Sequence, residues 1–191
     1  LNLCVRNLEN INDYSKINSK DNLLLEVSLA AKYEGESISQ NHGKHQETNS
    51  GTASQLCTVL ARSFADIGDI IRGKDLYIRN KREKKRLEDN LKEIFKKIYD
   101  NLKEDLRKDP KKWAEAEKRY KDTDNYYELR EDWWALNRLD VWKAMTCSDK
   151  LASAQYVGFT CSDGKSSAHE KCTCASGDVP TYFDYVPQYL R

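Results

Sequence analysis

Between Lys81 and Lys108, Leu87, Leu91, Ile94, Phe95, Ile98, Tyr99, Leu102 and Leu106 recur at steps of three and four residues. That spacing winds them onto one side of an α-helix and leaves Lys, Arg, Glu and Asp to the other sides. Such a stripe is buried only against neighbouring helices, so the expected architecture is a bundle. Glu88–Lys92 and Glu93–Lys97 lie in the favourable i,i+4 order, which adds a few tenths of a kcal/mol per pair.

Three further helices follow from the same reasoning. Leu56, Leu60, Phe64, Ile67, Ile70 and Ile71 share a face, with Ser54 placed to cap the start and Gly73 to end it. Asp109-Pro110 breaks the long helix, and Pro110 suits the first turn of a helix through Trp113 and Tyr120. A fourth helix is expected from about Tyr126 to Met145, with Leu129, Trp133, Leu136, Val141 and Met145 toward the core. Trp133 and Trp134 must point about 100° apart, which assigns one of them to a second interface. Before these helices the pattern is weak. Leu23–Ala31 is apolar enough for a short helix, and the polar Gly35–Gly51 stretch reads as an exposed loop. After Cys147 the helical period fades into a cysteine-rich loop over 147–178. An aromatic strip, Tyr182, Phe183, Tyr185 and Tyr189, follows and is expected to start another packed segment. The chain therefore divides into an irregular part, 1–53, and a helix-bundle part, 54–191.

The 191 residues carry 32 basic and 31 acidic side chains, with no apolar run long enough to cross a bilayer. No signal peptide opens the sequence, so signals for localisation and membrane attachment are expected outside this stretch. Six cysteines, Cys4, Cys57, Cys147, Cys161, Cys172 and Cys174, suit an oxidised, extracellular chain whose loops need staples. Zinc bound by Cys147, Cys161, Cys172, Cys174 and His169 is the alternative. Cys172-Thr173-Cys174 is tighter than the usual zinc knuckle and sends its thiols more easily to two disulfide partners.

Catalysis finds no support. His42, His45 and His169 lie in polar or glycine-rich surroundings, and no nucleophile elbow, phosphate-cradling loop or His-Glu-x-x-His helix occurs. No cofactor is expected. The one charge-based feature is Lys81, Arg82, Lys84, Lys85 and Arg86. From Lys81 to Lys112 there are 13 basic and 8 acidic residues, a local excess of five. Such a face suits a polyanion, a sulfated glycan rather than nucleic acid, for which no reading motif is present. The plainer alternative is a solvated helix surface.

Three blocks carry a resemblance. Leu56-Cys57-Thr58-Val59-Leu60-Ala61-Arg62-Ser63-Phe64-Ala65-Asp66-Ile67-Gly68-Asp69-Ile70-Ile71-Arg72-Gly73 resembles the opening block of a Duffy-binding-like domain of the α type. Arg130-Glu131-Asp132-Trp133-Trp134, Asn137-Arg138 and Val141-Trp142-Lys143-Ala144-Met145-Thr146-Cys147 resemble the second block, and Asp178–Arg191 the third. Together they point to the erythrocyte membrane protein 1 family of the malaria parasite Plasmodium falciparum, although Arg79 and Thr173 depart from its pattern. The resemblance implies a mainly α, disulfide-stapled domain with an irregular first part, a helix bundle second, and a C-terminal helical subdomain missing after Arg191. It also implies a variant adhesin on the extracellular face of the infected erythrocyte membrane. Such a module binds host cell-surface receptors or sulfated glycans, takes part in cytoadherence and rosetting, is recognised by antibodies, and reaches the membrane through parts outside this stretch. Under this reading Cys4 is expected to pair with Cys57, and the four late cysteines among themselves. Two other readings compete: an intracellular helical protein with a structural zinc site, and an antigenic scaffold whose ligand site lies outside this fragment.

Overall fold

The computed structural model describes residues 11, 15–46, 53–75, 81–154, 156, 158–161, 164–168 and 170–191. Five helices dominate: α1 (Lys20–Gln46), α2 (Ala53–Arg72), α3 (Lys81–Leu106), α4 (Pro110–Arg119) and α5 (Tyr127–Met145). A two-stranded antiparallel hairpin, β1 (Phe159–Cys161) and β2 (Ser166–Ser167), lies in the cysteine-rich loop. Short 3-10 turns flank it at 149–151 and 170–172, and two more, at 183–185 and 188–190, end the chain. Among the described residues no helix is long and apolar enough to cross a membrane.

The mainly helical class expected from periodicity stands, and so does the buried stripe of α3: Leu87, Leu91, Ile94, Phe95 and Ile98 are buried. Gly73 ends α2 with a φ of +72°, a left-handed conformation that costs glycine little. Asp109 caps α4, its carboxylate accepting from the Lys112 N–H at 3.2 Å.

The first correction concerns α1. Residues 20–46, expected as a short helix followed by an exposed polar loop, form one 27-residue helix. It packs along α5 and α2 with Leu23, Val27, Ala30 and Ala31 inward. Gly35, which suggested a loop, lies where α1 crosses the C-terminal end of α5: a Cβ there would sit 1.9 Å from the Met145 carbonyl oxygen. Close helix crossing, not chain reversal, is its role.

Leu136, expected in the core, is 77% exposed on α5. Trp133 and Trp134 are both buried within this chain. Trp133 stacks edge-on against Phe95 of α3 (6.2 Å), and Trp134 lies against Phe64 of α2 (5.1 Å), so the second interface is internal. Glu88 is turned to α5, where both its oxygens accept from Arg130 rather than serving an i,i+4 pair along α3.

Candidate receptor-binding surface

The basic stretch opens α3. Leu87, Leu91 and Ile94 set which face of α3 points inward, and that phase turns Arg82, Lys85 and Arg86 to solvent at i, i+3 and i+4. None of these three makes an ion pair among the described residues. Lys84 stands apart, because its ammonium donates to the Asp75 backbone oxygen and pairs with the Asp75 carboxylate at 3.5 Å. It is a structural tie between the α2–α3 connection and α3. The Lys81 side chain lies outside the described residues. Beyond Arg86 the outward face becomes mixed, with Asp89, Glu93, Lys96 and Asp100 exposed, so the positive field is confined to the first turns.

Those turns stand on a rigid base. Arg130, fully buried on α5, donates to Glu88 of α3 at 2.6 and 3.0 Å. It also donates to the Ile71 and Ile70 carbonyls in the last turn of α2 at 2.6 and 3.1 Å, the latter of which accepts from the Gly73 N–H as well. One guanidinium thus locks three helices. The sequence pass singled out neither Arg130 nor Glu88 as a pair, since 42 residues separate them.

A second polar cluster fixes the end of the chain. Asp184, buried on the 183–185 turn, accepts from Trp134 Nε1 (2.9 Å) and from Arg138 (2.7 and 2.8 Å). Arg72 donates to the Asp184 carbonyl and to Asp69 and Glu131. Arg191 reaches back to Asp66 at 3.2 Å and to Asp69. Burial pushes the Asp66 and Asp69 carboxyls above the ordinary range even against the pull of Arg191. Above this base Tyr182 and Tyr189 are 70% and 76% exposed, while Phe183 packs against the core, so the aromatic strip is held by ionic bonds together with part of its rings. The Arg138 guanidinium lies 5.2 and 5.5 Å from the Tyr182 and Tyr185 ring centres.

The cysteines pair otherwise than expected. Cys57 on α2 bonds to Cys172, and Cys161 to Cys174. Cys57 is therefore not the partner of Cys4, which lies outside the described residues, and only one pair forms among the four late cysteines. Cys147 is exposed and has no disulfide partner among the described residues. Cys172 and Cys174 do send their thiols to different partners, as the Cys-x-Cys spacing implied. Of the zinc ligands considered, Cys161, Cys172 and Cys174 are held in disulfides and cannot ligate it, and among the described residues no cluster of His, Cys, Asp and Glu is placed to hold a metal ion. That overturns the zinc reading. His169 and the side chains of His42 and His45 lie outside the described residues.

The Duffy binding domain family model matches residues 1–191. The chain belongs to this family. The domain's fold is shared with solved Plasmodium falciparum proteins. It is 42% identical to the NTS-DBL1α domain of PfEMP1 from the varO strain, with a TM-score of 0.76 over 98% of this chain and 39% of that one. It is 31% identical to the ICAM-1-binding DBLβ domain of PfEMP1 IT4var13 (TM-score 0.61), over 89% of this chain and 34% of that one. A further PfEMP1 DBLβ domain, solved bound to human ICAM-1, is 30% identical with a TM-score of 0.60, over 88% of this chain and 30% of that one. No curated protein sequence matches. The Duffy binding domain described here spans about two-fifths of the varO chain it resembles.

Proposed function

We propose that this domain is part of a variant surface adhesin that binds a host cell-surface receptor on the extracellular face of the infected erythrocyte, without catalysis. The observation that carries the reading is the trio Arg82, Lys85 and Arg86: exposed, without an ion pair among the described residues, and held on a helix that Arg130 and Glu88 lock to the core. Relatives whose solved domains bind ICAM-1 support receptor binding as the class of activity. The chemistry of this trio suits a ligand bearing sulfate or carboxylate groups, of which a sulfated glycan is the simplest. Antibodies are a second class of partner for the same exposed helix.

The test is adhesion of the oxidised domain to intact red cells, with and without soluble heparin, beside the variant Arg82→Glu/Lys85→Glu/Arg86→Glu. Lys84 is left intact because it holds Asp75. The reading expects adhesion that heparin competes away, falls with salt, and is lost in the triple variant. Adhesion unaffected by both heparin and charge reversal would move the contact to another face. No adhesion from a folded sample would leave the domain an antigenic scaffold whose ligand site lies elsewhere in the protein.

A further inference from the structure

Away from the basic turns, α5 ends at Met145. There an open groove of about 670 Å3 is lined by Lys143, Thr146, Cys147, Lys171, Thr173 and Cys174, among others. The exposed Cys147 and the largely buried Cys174, a member of the Cys161–Cys174 disulfide, therefore line the same groove. The 170–174 turn is tied across it, because Lys171 Nζ donates to the Cys147 carbonyl at 3.1 Å and to Asp149 at 3.3 Å. Lys171 and Cys172 have φ values of +56° and +53°, left-handed conformations that crowd a residue with a Cβ.

We propose that Cys147 is the attacking thiol of an internal thiol–disulfide exchange. Deprotonated Cys147 Sγ attacks Cys174 Sγ in line with the Cys161–Cys174 bond. A Cys147–Cys174 bond forms, the Cys161–Cys174 bond breaks, and Cys161 leaves as the thiolate and takes up a proton. One disulfide and one thiol are present before and after, so no oxidant or reductant is required. Geometry selects the bond. Cys174 lines the groove beside Cys147, Cys161 does not, and Cys57–Cys172 is wholly buried in the core. Exchange therefore leaves the inner staple intact and frees only the outer one. What changes is the β1–β2 hairpin, which Cys161 alone fastens covalently and which presents the exposed Phe159. The domain then exists in two covalent forms that differ in an exposed loop.

The exchange is read by acid-quenching the intact domain, alkylating free thiols and mapping non-reduced peptides by mass spectrometry. The expected result is a Cys147–Cys174 peptide together with alkylated Cys161. It accumulates over minutes to hours and faster at about pH 8 than at about pH 6, because the thiolate attacks. Cys147→Ser should abolish that species while retaining Cys161–Cys174. In a second variant, Cys161→Ser, oxidation with glutathione disulfide should join Cys147 to Cys174 in most molecules. Cys147 alkylated in every wild-type molecule, or two free thiols persisting in oxidised Cys161→Ser, would overturn the proposal. So would finding Cys147 joined to Cys4 throughout.

Discussion

Arg130 on α5 and Glu88 on α3 face each other through two hydrogen bonds of 2.6 and 3.0 Å, and the arginine has no exposed surface. A guanidinium buried so deeply is tolerated because its donors are met: Glu88 takes two, and the carbonyls of Ile70 and Ile71 take others. Removing Glu88 leaves a buried cation short of its counter-charge, and removing Arg130 strands the end of α2. Arg130→Ala should therefore cost about 3–5 kcal/mol, and Glu88→Gln less, because the glutamate is partly exposed. Urea midpoints measure both. A loss below about 1 kcal/mol for Arg130→Ala would show that this residue does not lock the bundle.

Gly35 sits where α1 crosses the C-terminal end of α5. A Cβ would lie 1.9 Å from the Met145 carbonyl oxygen, which is backbone and cannot swing aside. Gly35→Ala should lower stability by about 3 kcal/mol or more, the upper end for overpacking, despite alanine's better helix propensity. Thermal unfolding followed by circular dichroism checks it, and an unchanged or raised midpoint would place α1 farther from α5.

The two disulfides should differ in worth. Cys57–Cys172 spans 115 residues of sequence and Cys161–Cys174 only 13. Loop-closure entropy gives about 4.7 kcal/mol for a loop near 100 residues and about 3 for one near 15. Cys57→Ser/Cys172→Ser should therefore unfold at lower denaturant than Cys161→Ser/Cys174→Ser. The reverse order would mean that the outer loop organises the core.

Acid acts on the carboxylates in two opposite senses. A hydrogen bond from Arg119, aided by one from Tyr120, holds the Asp132 carboxyl below the ordinary range. Its stabilising contribution is complete above the unfolded pKa of about 3.9 and is lost as pH falls through the lower folded-state value. Asp66 and Asp69 are raised, by burial first, so their contribution is complete below about 3.9 and fades as pH rises through their folded-state values. In urea titrations, Asp132→Asn should therefore trail the parent at neutral pH, with the gap closing in strong acid. A gap that widens on acidification would contradict the assigned direction.

How much of this was legible beforehand follows from the range of each interaction. The α3 stripe, the Gly73 stop and the Asp109-Pro110 break depend on neighbours within a few residues, so periodicity and turn chemistry read them correctly. The basic stretch was legible as Lys81, Arg82, Lys84, Lys85 and Arg86, and only the structure separates Lys84, tied to Asp75, from the exposed Arg82, Lys85 and Arg86. Gly35 misled because glycine signals a turn locally, and only the α1–α5 crossing shows that a side chain would collide there. Leu136 looked like core because its spacing fits the stripe, yet α5 turns that residue to solvent.

By itself, then, the sequence determined the helices α2 to α5, the inward faces of α2 and α3, the oxidised character of the chain and, through three long blocks, its family. Each is set by local spacing or by residue identity. Only the tertiary structure decided which partner each cysteine takes, which lysine of the basic stretch is already committed, and where Arg130 and Asp184 spend their donors and acceptors. Those outcomes join residues 9 to 115 positions apart, and a disulfide or a buried ion pair forms only where folding brings two side chains within a few ångströms.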